Sequence, residues 1–300
     1  LSDHRLFALV LMALGLGWGL TQPLGKLATS TGYQPFGLIF WQLVICTMVL
    51  GALSLARGKG LVVTRDALIF ALVVAVLGTL VPNATFYTSI QHLPSGIMSI
   101  LISAVPILSF PIALALGMDR FSLRRIAGLG LGLVGVAMIA APGAGLPGHL
   151  LVFLPLALVG PLFYALEANY VARAGTGGMD AVQAMFMASL VGVVLCLPVT
   201  LATGQWIDPR GNWAAPEWAL VGSSVVHALC YAGYVWLAAR AGAVFAAQCS
   251  YLVTGAGVIW AMLLLGERLQ PLVWVALVVV LSGVALVRPR AAALRVEQEA

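Results

Sequence analysis

Apolar residues in this chain come in runs of about 20, separated by short clusters of Gly, Pro, Ser and basic residues. A run of that length is a helix about as long as a bilayer's hydrocarbon core is thick, whereas a membrane barrel would show ten-residue alternations. The pattern predicts ten spans, at roughly 5–28, 35–56, 67–90, 95–117, 124–141, 150–172, 180–202, 217–239, 243–265 and 271–288. TSTGYQP, HLPSG and PGAGLPGH read as tight turns, and only the link around Gln205–Pro216 is long enough to hold structure of its own.

Thin polar stripes run inside these spans. In span eight, Ser224, His227, Tyr231 and Tyr234 fall at i, i+3, i+7 and i+10, one face of a helix. Span nine carries Gln248, Tyr251 and Gly255 on a face with Thr254 beside them. Span three carries Thr79, Asn83 and Tyr87, with Pro82 freeing a carbonyl; span four carries Ser99, Ser103 and Pro106. Span one has Trp18, Thr21 and Gln22 just before Pro23, and span six has Tyr164 and Glu167 on one face. Lipid offers such groups no partners, so the stripes are expected to face inward.

The run 243–270 also has an echo. It ends in Leu265-Gly266-Glu267-Arg268-Leu269, and 148 residues earlier a similar run ends in Met118-Asp119-Arg120-Phe121-Ser122. Gly135-Val136 and Gly283-Val284 keep the same offset. The expected fold is therefore an all-α integral membrane protein, ten transmembrane helices arranged as two five-helix repeats. An odd number of spans per repeat makes the two copies cross in opposite senses, an inverted repeat typical of secondary transporters. The expected division is 1–145, 146–289 and a cytoplasmic tail at 290–300.

Composition agrees with a lipid solvent: 62% hydrophobic, 8% charged and a mean hydropathy of +1.06, where soluble domains carry about 25% charged residues. The formal charge of +5 does not point to nucleic acid, because the basic residues sit at span ends. With the N-terminus inside, 12 of the 15 basic residues fall at cytoplasmic ends, all but Lys26, Arg210 and Arg268. The positive-inside rule then expects both termini in the cytoplasm, in a multi-pass protein of a bacterial inner membrane. The N-terminus reads as an ordinary first span without a cleavage signature. Cys46, Cys196, Cys230 and Cys249 lie within spans and read as small buried hydrophobes. No metal motif, phosphate-binding loop or acidic cluster for a lipid diphosphate stands in the sequence, so no cofactor, metal ligand or catalytic residue is expected.

The candidate chemistry follows. Trp18, Thr21, Gln22, Thr79, Asn83, Tyr87, Ser103, Tyr164, Glu167, His227, Tyr231, Tyr234, Gln248 and Tyr251 are the expected substrate-binding wall, suited to a small zwitterion or a polar ring. Packing is a competing role for the serines of span four, as for Gly128-x-x-x-Gly132, and His227 could equally join two helices as a neutral imidazole. Glu167 is the one carboxylate expected within a span, about 9 Å inside the end marked by Arg173. It could carry a proton, balance a substrate ammonium or partner His227. Lys26 with Glu267 at the outer surface, and Asp119 with Arg173 at the inner one, could latch gates; ordinary helix-end electrostatics is the alternative. Interior prolines at 23, 82, 106, 111, 161 and 198 predict kinks in spans one, three, four, six and seven.

Trp18-Gly19 followed by Lys26, Pro106 in span four, the Gly-x-acidic-Arg type endings of spans four and nine, and the paired Gly-Val motifs resemble an EamA domain. Over residues 5–289 the chain resembles a ten-helix member of the drug/metabolite transporter superfamily. It departs from that pattern at Phe40-Trp41-Gln42, where the family often has an Arg, and at Asp119, where it has Glu. The resemblance implies export of amino acids, aromatic ones included, or of other small metabolites by alternating access. The implied partners are the bilayer, a small-molecule substrate and, with a proton-carrying Glu167, protons; the chain would act as a monomer or homodimer and bind no nucleic acid. A membrane enzyme, or a channel or sensor, is the competing class.

Overall fold

The computed structural model describes residues 3–241, 243–246 and 248–287, and every regular element among them is a helix. The expected tail at 290–300, with Arg288, Arg290 and Arg295, lies outside the described residues. The helices are α1 (Asp3–Ala28), α2 (Pro35–Ala56), α3 (Arg65–Ala75), α4 (Val81–Ile90), α5 (Ser95–Ile102), α6 (Val105–Ala115), α7 (Leu123–Ala140), α8 (Phe153–Ala174), α9 (Ala181–Ala202), α10 (Ala215–Ala241), α11 (Ala243–Ala246), α12 (Cys249–Leu265) and α13 (Pro271–Val287). Eight helical stretches are long and apolar enough to cross a membrane, with α3 and α4 counted as one and α5 and α6 as another; α12 and α13 are shorter apolar helices.

Local chemistry sets the boundaries. Pro35 opens α2, where its missing N–H costs nothing. Thr64 caps α3 by accepting from the Ala67 N–H at 3.2 Å. Asp180 caps α9 through the N–H groups of Val182 and Gln183 and completes a capping box with the Gln183 side chain. Gly117 and Gly266 end α6 and α12 in left-handed conformation, φ 69° and 65°, which a side chain would resist.

Only two interior prolines coincide with an interruption. Pro82 lacks the N–H that helix geometry expects. The five residues before α4, Val76–Leu80, widen into a π-helical turn, with the Val81 N–H reaching back to the Val76 carbonyl. Before Pro106 the chain breaks between α5 and α6, where Ser103 and Ala104 bond three residues back, to the Ile100 and Leu101 carbonyls. Pro23, Pro111, Pro161 and Pro198 lie inside helices that run on through them. A single lost bond is tolerated when neighbouring turns hold, so these helices continue through their prolines.

Packing pairs distant helices: α7 with α13, α1 with α10 and α12, α2 with α9, and α4 with α8. Small residues permit the closest of these. A Cβ on Gly283 would stand 2.7 Å from the Gly128 carbonyl oxygen, so only glycine allows α13 to cross α7 there.

Two sets of turns gather at opposite ends of α2. At one end Arg57 and Lys59 pair with Asp180 (3.0 and 2.6 Å), and the Gln183 amide donates to the Gly60 carbonyl. At the other, Tyr33 donates to Glu217, Gln205 Oε1 accepts from the Phe36 N–H, and the Gln91 side chain donates to the Tyr33 carbonyl. The 57–60 and 176–183 turns thus share one face of the bundle.

Candidate functional site

A cavity of about 400 Å³ lies among α1, α2, α4, α5, α8, α10 and α12, with the α5–α6 break at its wall. Nine of the fourteen expected wall residues line it: Trp18, Thr21, Gln22, Asn83, Tyr87, Ser103, Tyr164, His227 and Tyr234. Thr79 and Tyr231 instead line an adjoining void of about 20 Å³, which Asn83 and His227 also reach; such a void has room for about one water.

The remaining three line neither space. Gln248 is the residue at which α12 starts, and Tyr251 packs against the apolar core. The face that α12 turns to the cavity is the neighbouring one: Cys249, Ser250, Val253 and Thr254. Glu167 lies against the π-helical turn, where a Cβ on Gly78 would stand 2.5–2.6 Å from its carboxyl atoms. The wide turn and the absent side chain together make room for the carboxylate.

Prolines build much of the wall. Pro82, Pro106 and Pro161 all line the cavity from three helices. Each removes one helical N–H, so Ile102 and Ala157, four residues before Pro106 and Pro161, lose their usual donors and also border the space.

The polar groups fall into two kinds. Some are tied to each other: the Tyr164 hydroxyl donates to Asn83 Oδ1 (3.2 Å), Asn83 Nδ2 donates to Gln42 Oε1 (3.1 Å), and the Tyr87 hydroxyl donates to the same oxygen (3.1 Å). This network joins α8, α4 and α2. Thr21 and Ser103 are turned back onto their own helices, onto the Trp18 and Ile100 carbonyls at 2.6 Å each. Gln22 is the other kind. It is 9% exposed, and its Oε1 has no hydrogen-bond partner.

Aromatic rings close one side. Trp18 meets Tyr234 at 5.6 Å, His227 at 6.3 Å and Tyr231 at 6.4 Å between ring centroids, in tilted or edge-on geometry. The stripe of span eight thus converges on Trp18 as its spacing predicts. Ser224 does not join it: it is fully buried and donates to the Leu220 carbonyl, while its neighbour Ser223 borders the cavity.

Gln42, a lone amide within an apolar span, lines the cavity although it is not among the expected wall residues, as do Ser223, Cys249 and Ser250. Phe86 and Met98 are legible in the sequence only as apolar bulk.

Lys26, Glu267 and Asp119 bond to partners other than the expected ones. Lys26 Nζ donates to the Gln91 and Leu93 carbonyls (3.2 and 2.9 Å). Glu267 accepts from the Ser95 N–H, the Ser95 hydroxyl and the Gly96 N–H (2.7, 2.9 and 2.9 Å). Asp119 pairs with Arg125, which is 5% exposed and lies over the Phe110 ring, while Arg173 is exposed. No ion pair joins Lys26 to Glu267 or Asp119 to Arg173 in this structure.

Comparison with known proteins fits this architecture. A family model described as the EamA-like transporter family matches the chain twice, over residues 5–141 and 151–288. The chain is 31% identical over 220 residues to the uncharacterized transporter YvbV of Bacillus subtilis (strain 168), covering 70% of this chain and 67% of that one. It is 26% identical over 285 residues to the uncharacterized inner membrane transporter YedA of Escherichia coli (strain K12), covering 92% and 89%. A solved structure described only as the crystal structure of a protein superposes with a TM-score of 0.61 at 19% identity, covering 94% of this chain and 96% of its own; that likeness speaks to the fold alone.

Proposed function

The chain belongs to the EamA-like transporter family, and we propose that it is a secondary carrier that exports small polar metabolites across a bacterial inner membrane by alternating access. The observation that carries this reading is the position of the cavity between the two family-matched segments. Residues 5–141 contribute Trp18, Pro82 and Pro106 to its wall, and residues 151–288 contribute Pro161, His227 and Thr254. The first, third and fourth apolar helical stretches of each segment supply these residues. Two similar halves around one space are what rocking about a central site requires.

In this reading the halves, 1–145 and 146–289, are inverted five-span repeats, both termini are cytoplasmic, and the face holding Arg57, Lys59 and Arg173 is the inner one. The cavity residues bind cargo, and Glu167, beside the one-water void that His227 and Tyr231 border, carries the coupling proton. Lys26 and Glu267 act on the outer side, Asp119 and Arg173 on the inner. One chain encloses the site, whether it works alone or as a homodimer. Amino acids, aromatic ones included, are the cargo to which the resemblance points.

Counterflow in proteoliposomes tests the carrier reading. Vesicles preloaded with an unlabelled solute should transiently accumulate the labelled form of the same solute, for at least one member of a panel of amino acids, nucleobases and sugars. Solute flux that equilibrates without overshoot would identify a channel instead.

A further inference from the structure

We propose that the cargo enters the cavity as an uncharged, planar ring with a cyclic-amide edge, placing a neutral N–H donor on Gln22 Oε1. The inference rests on the carrier reading and narrows its substrate class. Three observations carry it.

The first is charge. Among the described residues that line the cavity, none is Asp, Glu, Lys or Arg. An ammonium or carboxylate moved there would give up its hydration with no opposite charge to meet, a cost that neutral dipoles repay poorly. Glu167, the nearest span carboxylate, is not among the lining residues, and its carboxyl atoms lie against Gly78.

The second is the hydrogen-bond pattern. Gln22 is nine-tenths buried and its Oε1 is an acceptor without a donor. Gln42 Oε1 already accepts from both Asn83 and Tyr87, so the Gln42 amide has only its N–H groups left to offer. One unpartnered acceptor and one donor set on residues of the same cavity wall match an edge that carries N–H beside C=O. A carboxylate would set oxygen against the Gln22 oxygen.

The third is shape. Trp18, Phe86 and Tyr234 border a space of about 400 Å³ whose surface is otherwise largely apolar. Flat π-faces favour a ring over a flexible aliphatic chain.

The experiment is counterflow of labelled uracil and hypoxanthine, both cyclic amides uncharged at pH 7, beside labelled tryptophan (a zwitterion) and phenylethylammonium (a cation). The wild-type protein should exchange uracil or hypoxanthine saturably and leave the two charged probes behind. Gln22→Leu should raise the half-saturating concentration of the exchanged ring about tenfold or more, since the ring's donor loses its partner in a dry site. Should Gln22→Leu fail to fold, Gln22→Glu serves in its place: a carboxylate acceptor there should admit phenylethylammonium, which the wild type rejects. Exchange of tryptophan or phenylethylammonium without either neutral ring overturns this inference and leaves the carrier standing. Exchange of none of the four overturns the inference and withdraws support from the carrier as well. Unchanged half-saturation in Gln22→Leu removes Gln22 from the site.

Discussion

Lys26 and Glu267 hold the same turn from its two ends. The Lys26 ammonium takes the carbonyls of Gln91 and Leu93, just past the C-terminus of α4, while the Glu267 carboxylate takes the N–H groups of Ser95 and Gly96 at the start of α5. Each charge sits at the helix end whose dipole it complements. A chain running from α1 through the 91–96 turn to the end of α12 is thereby fastened without the two side chains pairing directly.

That geometry separates a latch from a clamp. Glu267→Ala should lower thermal stability by about 1–2 kcal/mol, as loss of a helix cap does, and Lys26→Met should cost less. The charge swap Lys26→Glu with Glu267→Lys should recover nothing, because a carboxylate would then face carbonyl oxygens and an ammonium would face N–H groups. Unfolding in detergent, followed by fluorescence, reads both effects. Recovery in the swap would show that the charges act on each other after all.

Gly78 and Glu167 depend on one another sterically. Gly78→Ala should destabilise the protein by about 1–3 kcal/mol, because its methyl group would overlap the carboxyl atoms in a packed interface. Glu167→Ala should restore most of that loss in the double variant, which a thermal-melt cycle measures. Glu167→Gln keeps the shape and removes the ionisable group. It should fold normally and lose the dependence of transport on an imposed pH gradient. Native-rate transport across pH in Glu167→Gln would end the proton-carrier role.

Asp180 makes acid sensitivity local to one face. Partial burial works to raise its carboxyl, but the bond from Lys59, the Gln183 N–H and the charges of Arg57 and Lys59 outweigh it and hold it below its ordinary value of 3.8. A depressed folded-state value means that the carboxylate's contribution is complete above pH 3.8 and is lost as the pH falls through the lower folded value. Wild type should therefore be more stable than Asp180→Asn near neutral pH, with the gap shrinking in acid below about pH 4. Limited proteolysis of the 174–183 turn against pH checks this. A gap that widens in acid would contradict it.

Much of this fold is legible because helix length and apolar runs obey the same bilayer dimension; the described residues of each expected stretch are mainly helical. The stripes of spans one, three and eight also found the cavity, since polar groups at helical spacing have to face away from lipid. What the sequence carried less well was rotation. Periodicity fixes which residues share a face but not where that face points, so Gln248 and Tyr251 were expected at the wall that Cys249, Ser250 and Thr254 occupy. Ser223 and Ser224 changed places for the same reason. The bonds of Lys26 and Glu267 were beyond reach, because their partners are backbone groups of a turn 65 to 172 residues away. Likewise Asp119 closes on Arg125, six residues ahead, rather than on Arg173.

Cys249 offers the most direct measurement, since it is free and borders the cavity, while Cys46, Cys196 and Cys230 do not border it. In a variant that keeps Cys249 and replaces the other three with serine or alanine, a membrane-impermeant thiol reagent is applied to one side of oriented proteoliposomes and then to the other. Alternating access predicts modification from both sides in turn, slowed by cargo present on either side. Modification from one side alone, under conditions where counterflow proceeds, would contradict it.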